Sequence, residues 1–127
     1  MTDQELIRRM AEVMGWVYIP EKETLVGEYQ VRQFEAAKWV NEYGQFMFWA
    51  FDWQPLTNAN HWIMVVERMR EKGWRIIIKS YNLWEVEFWD KGQYFAEHNM
   101  IGHAVCLAAL KAGIESGPQG GLKGDLA

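Results

Sequence analysis

Trp74-Arg75-Ile76-Ile77-Ile78-Lys79-Ser80-Tyr81-Asn82-Leu83-Trp84-Glu85-Val86-Glu87-Phe88-Trp89-Asp90 is the stretch on which the fold turns. Two runs rich in β-branched and aromatic residues flank a short polar break, the pattern of an antiparallel hairpin. With Tyr81-Asn82-Leu83 as a three-residue loop, Ser80 stands opposite Trp84, Ile78 opposite Val86 and Ile76 opposite Phe88, all on one side. The other side then pairs Lys79 with Glu85, Ile77 with Glu87 and Arg75 with Trp89. A two-residue loop at Tyr81-Asn82 would set Ile78 against Glu85 and mix the faces. Side-chain matching therefore selects the longer loop.

Working outward, Gly73 ends a helix that Thr57 or Asn58 caps and that runs to about Lys72, with Trp62, Val65, Val66 and Met69 as its apolar stripe. Before it, Asp52 to Asn58 reads as a loop, because Pro55 biases Gln54 away from helical geometry. Lys38 to Trp49 reads as a second hairpin turning through Asn41-Glu42-Tyr43-Gly44, with Phe46 and Phe48 on one face and Met47 and Trp49 on the other. Residues 21 to 36 stay open between a helix over Val31 to Lys38 and a loop leading into a strand. Trp16 to Ile19 is a short strand stopped by Pro20. Thr2 to Met14 is a helix: Thr2 and Glu5 form a capping box, Leu6, Met10, Val13 and Met14 form the stripe, and Gly15 closes it. Downstream the chain turns after Gly92, and a third helix runs from near His98 or Asn99 to Ala112, with Gly113 as its stop. Met100, Ile101, Ala104, Val105, Leu107 and Ala108 give it a broad apolar surface with one snorkelling charge, Lys111. The expectation is an α/β or α+β sandwich with a mainly antiparallel sheet of about four strands and three helices.

Composition bounds the rest. The chain has 127 residues, half of them hydrophobic, with 13 basic and 17 acidic side chains for a net charge of −4. That suits one domain, assigned to residues 1–113, with a Gly-rich tail over 114–127 expected to be flexible. The acidic balance argues against sequence-independent binding of long nucleic acid. No run reaches the roughly 20 apolar residues of a membrane span, and no signal peptide is apparent, so a cytoplasmic protein is expected. Cys106, the single cysteine, sits in an apolar run and reads as a buried thiol. His61, His98 and His103 are the three histidines; the last two, five apart, do not share a helix face, and no metal site or cofactor is expected. Glu85 and Glu87 could be an acid–base pair, but Lys79 and Arg75 opposite them favour a charge ladder. No catalytic constellation emerges. Eight Trp, five Tyr and six Phe are more rings than a small interior needs. About six of the Trp are assigned to the core, and the surplus predicts a homodimer or higher symmetric assembly.

Two patches could bind a ligand. Trp53, Asn58, Asn60, His61 and Trp62 gather around a helix N-terminus, where amides and a partial positive charge attract anions. In the alternative, Thr57 or Asn58 only caps the helix and Trp53 fills the core. Arg75, Lys79 and Trp89 share the outer face of the first hairpin, a face that a helix or a second subunit could instead cover.

Several stretches together resemble one family. They are Met14-Gly15-Trp16, the block from Asp52 to Trp74 with its Trp53-Gln54-Pro55-Leu56 element, and the closing Cys106-Leu107-Ala108-Ala109-Leu110-Lys111-Ala112. The resemblance is to the phage ABA sandwich domain family and extends to about Gly113, with Glu21 to Ala37 departing from it. It implies an α-β-α layering and carries no catalytic residues to transfer. With the two patches, it leads to the expectation of a non-enzymatic phage anti-defence protein in the infected host cell. Such a protein would sequester a nucleotide-derived signal, of the cyclic ADP-ribose or cyclic dinucleotide type, without cleaving it. The alternative is a protein-binding inhibitor or regulator of a host or phage protein, acting through an aromatic surface patch.

Overall fold

The computed structural model describes residues 1–115, with only the backbone of the last two; the expectation of a flexible tail falls, from residue 116 on, outside the described residues. Among the described residues three helices and eight strands, every pairing antiparallel, make an α+β sandwich fold. The strands form three small sheets rather than a single sheet of about four. The described residues divide into two compact units, one built from residues 1–14 and 54–115, the other from Gly15–Trp53.

In the first unit, α1 (Asp3–Val13) begins as its sequence dictates. The Thr2 hydroxyl accepts from the Glu5 amide at 3.1 Å while the Glu5 carboxylate accepts from the Thr2 amide at 3.3 Å. Leu6, Ile7, Met10 and Ala11 are its buried side, while Val13 and Met14 are half-buried. Gly15 takes φ +85°, the left-handed conformation that glycine adopts without a Cβ clash. Helix α2 (Ala59–Glu71) is capped by Asn58 and buries His61, Val65 and Met69; Trp62 and Val66 are half-buried. Its basic last turns reach α1: Arg68 Nε and Lys72 Nζ both donate to the Val13 carbonyl, at 3.4 and 3.2 Å. That carbonyl lies at the negative end of α1, where cations are favoured. Helix α3 (Ile101–Glu115) runs through Gly113, which lies in the helix and does not stop it. It packs against α1 and α2 and against the sheet. Surrounded in this way, it buries Gly102, Ala104, Val105, Cys106, Ala108, Ala109 and Ala112, and Lys111 snorkels to donate to the Phe95 carbonyl at 2.7 Å.

The sheet under α3 is β6 (Arg75–Ser80), β7 (Trp84–Trp89) and β8 (Gln93–His98). The β6–β7 register pairs Ser80 with Trp84, Ile78 with Val86 and Ile76 with Phe88, as face matching requires. Val86, Phe88 and Ala96 form the buried face. Strand β8 replaces the turn expected after Gly92, so the third helix starts later, at Ile101. Its pattern is weak: the inward positions are Tyr94, Ala96 and His98, only one of them a strong strand former. Pairing along β7, from Trp89 with Gln93 to Trp84 with His98, imposes the strand. Asp90 at φ +93° and Gly92 at φ +140° make the reversal.

The second unit holds the sheet β1 (Val17–Ile19), β4 (Lys38–Val40) and β5 (Phe46–Trp49), in the order β1-β4-β5. The turn is held by Asn41, whose side-chain oxygen accepts from the amides of Tyr43 and Gln45, both at 2.9 Å. Trp16, Phe48 and Trp53 meet as three rings, Trp16 edge-on to Trp53 with centroids 4.8 Å apart. The open segment, residues 21 to 36, is a hairpin, β2 (Lys22–Val26) with β3 (Val31–Glu35), and not a helix. Across the chain four Trp are buried (Trp16, Trp39, Trp53, Trp74) and four half-buried, where the sequence had suggested about six in the core.

Candidate functional site

The first expected patch is largely used up by the fold. Trp53 has no exposed surface and packs on Trp16 and Phe48, so it is a core ring and not a stacking platform. Pro55 and Leu56 are buried beside it in sequence, and the Pro55 carbonyl lies 3.7 Å from Cys106 Sγ. Asn58 and Asn60 are exposed, but the Asn58 side chain already accepts from the Asn60 amide at 2.9 Å. His61 is buried, and its Nδ1 accepts from the Gln54 amide at 2.9 Å. That bond ties α2 to the turn before it. The anion-attracting amides of a helix start are thus partly occupied by its own cap.

The second patch is real as a surface. The helices cover the Val86–Phe88–Ala96 side of the sheet, and the opposite side carries Arg75, Ile77, Lys79, Glu85, Glu87, Trp89, Phe95 and Glu97. Ile77 and Phe95 are 39% and 45% exposed there. Arg75 lies over Trp89, its guanidinium carbon 5.3 Å from the ring centroid, and also pairs with Asp90 at 3.5 Å. The Trp89 indole Nε1 is buried and has no hydrogen-bond acceptor among the described residues. Ile77, Lys79, Glu85, Glu87 and Phe95 line a depression of about 30 Å³. Glu85 stands directly opposite Glu97, so the middle of the face is acidic despite Arg75 and Lys79 at its edge strand. The sheet separates this face from the helices, so Asn58 and Asn60 at the start of α2 do not join Arg75, Lys79 and Trp89 in one site. Sequence reasoning missed Phe95 and Glu97, because β8 was not recognised as a strand.

Other chemistry is limited. Burial pushes the Cys106 thiol well above the usual thiol range, which keeps it protonated and unreactive. His98 and His103, separate in the helical reading, stack with centroids 3.9 Å apart because one ends β8 and the other begins α3. His103 Nε2 lies 3.8 Å from Asp3. No group of three or more His, Cys, Asp or Glu able to hold a metal occurs among the described residues. A wider, open hollow of about 490 Å³ lies along the β2–β3 hairpin, lined by Lys22, Thr24, Gln33, Phe34 and Glu35. None of the expected site residues is in it.

The comparison with protein families decides the lineage. A model of the phage ABA sandwich domain matches residues 11–110 of the 127-residue chain. The chain belongs to the phage ABA sandwich domain family. In this family member the matched span takes in all eight strands, α2 and the first ten of the fifteen residues of α3. No curated protein and no solved structure matches this phage ABA sandwich protein. Among its described residues no helix is long and apolar enough to cross a membrane.

Proposed function

We propose that this phage ABA sandwich protein acts by binding a protein partner, without catalysis, through the helix-free face of the β6–β7–β8 sheet. It would serve as an inhibitor or regulator of a host or phage protein. The observation that carries this reading is two exposed apolar side chains, Ile77 and Phe95, on either side of Glu87 on an open face that also carries Glu85 and Glu97. Exposed apolar side chains set among charged ones suit a surface that meets another protein. The depression there, about 30 Å³, is an order of magnitude below the roughly 300–1,000 Å³ of small-molecule pockets. Three carboxylates also repel a phosphate. The matching partner surface is basic between two apolar spots, and the charges would chiefly set the association rate.

A second reading is capture of a nucleotide-derived immune signal in the infected cell. It is favoured by one feature, the Arg75–Trp89 stack, because a guanidinium beside an indole can take a phosphate and a base together. One pair of experiments separates the readings. A photo-crosslinking residue at Phe95 should trap one defined protein in phage-infected cells, and the same residue at exposed Tyr81 should not. Phe95→Asp should then weaken binding of that purified protein at least tenfold. If nothing crosslinks, and heat-denatured protein instead releases unaltered cyclic ADP-ribose isomers or cyclic dinucleotides, the second reading takes its place.

A further inference from the structure

The β2–β3 hairpin stands apart from every other strand: it is a two-stranded sheet of its own, and all ten of its strand residues are exposed. A lone two-stranded ribbon is marginally stable in water and gains most from a surface laid against it. We propose that the occupant is the same ribbon of a second copy of this chain, packed face to face about a two-fold axis.

The argument rests on how one face is arranged. Glu23 stands opposite Phe34, and Leu25 opposite Arg32. These four side chains therefore share a face as a square. Leu25 and Phe34 occupy one diagonal, 57% and 65% exposed, and Glu23 and Arg32 the other, joined at 3.2 Å. Such a square is complementary to itself. A two-fold axis along the Leu25–Phe34 diagonal lays Leu25 on Leu25 and Phe34 on Phe34 of the copies. The same operation sets each Glu23 against the partner's Arg32, twice over. An isologous interface requires this reciprocity. The ribbons would then cross steeply, as in orthogonal sheet packing. A heterologous partner has no reason to match both diagonals. The opposite face carries Lys22, Thr24, Gln33 and Glu35, with the exposed Val26 and Val31 paired at the turn end.

The area sets the strength. Only four side chains of each copy meet, well below the roughly 800 Å² of a standard interface side, so association is weak and depends on concentration. Sedimentation velocity from about 1 to about 500 μM reads it out. The wild-type chain should pass from monomer to dimer across that range. Glu23→Arg places arginine against arginine and should leave a monomer throughout; Arg32→Glu places glutamate against glutamate and should do the same. An equimolar mixture of the two variants restores both opposite-charge contacts and should dimerise as the wild type does. Loss of fold cannot mimic that rescue, and far-UV circular dichroism confirms that each variant is folded. For a chain whose variants do not fold, Leu25→Ser with Phe34→Ser provides the same loss of dimer. A wild-type monomer at about 500 μM, a mixture that stays monomeric, or charge variants that dimerise unchanged would each overturn the proposal.

Discussion

A methyl group distinguishes two glycines of α3. A Cβ on Gly102 would collide with the Leu56 carbonyl oxygen and lie 2.8 Å from Trp62 Cδ1, whereas a Cβ on Gly113 would meet nothing within 4 Å. Alanine is the better helix former by about 1 kcal/mol, so at the open site it should help. Gly113→Ala should therefore raise stability by about 0.5–1 kcal/mol. At Gly102 a backbone atom must move, an overpacking cost of about 1–3 kcal/mol that exceeds the helix gain. Gly102→Ala should lower the melting temperature by several degrees, and thermal denaturation of the two variants side by side checks the opposite signs. His103 supplies the pH dependence. Burial, with the neighbouring His98 ring, holds its pKa below the usual 6.5, and Asp3 offsets this only in part. The unfolded chain then binds the proton that the folded chain resists. The stability it contributes is complete above pH 6.5 and declines as pH falls from there toward the folded pKa. The melting temperature should fall between pH 7.5 and 5.5, and His103→Gln should flatten that slope.

The helices and strands differ in how openly their residues announce them. Thr2 and Asn58 are both caps, each with its side chain on an amide of the first turn. Thr2→Ala and Asn58→Ala should each cost about 1 kcal/mol, measured by urea denaturation. For Asn58 the measurement also bears on ligand binding: a residue that only caps should lose stability and leave every binding activity in place. The β6–β7 hairpin was legible to the residue because its two faces differ sharply, and a one-residue slip would bury Glu85 and Glu87 in place of Val86 and Phe88. Strand β8 was not, because Ala96 and His98 give its buried face no strand signature and its pairing with β7 supplies the stability. The β2–β3 hairpin escaped for the opposite reason. It buries neither face, so period-two patterning had nothing to track, although Gly27 at φ +80° marks its turn.

For the whole molecule, stability and recognition should separate on the outer sheet face. Ile77 and Phe95 are exposed, so Ile77→Asp and Phe95→Asp should each change unfolding free energy by no more than about 0.5–1 kcal/mol while abolishing partner binding. Trp53 behaves in the reverse way. Fully buried against Trp16 and Phe48, its replacement by alanine should cost about 3–5 kcal/mol and destroy structure and function together. Chemical denaturation paired with a binding assay distinguishes the two kinds of position.

Local rules in the sequence determined the cap at Thr2, narrowed that of α2 to Thr57 or Asn58, and settled the register from Arg75 to Trp89 and the burial of Cys106. Each depends on residues a few positions apart, or on one apolar face set against one polar face. The same rules identified Arg75, Lys79 and Trp89 as sharing a surface, because strand alternation alone settles which side a residue faces. What they could not decide was which surfaces remain open. Trp53 is as aromatic as Trp89, and only tertiary packing makes one a core ring and leaves the other beside Arg75 on an uncovered face. Likewise only the third strand brings Phe95 and Glu97 beside Glu87 and Glu85, and only the fold stacks His98 on His103. Exposure is a property of what lies opposite a side chain, and in this protein what lies opposite comes from distant sequence.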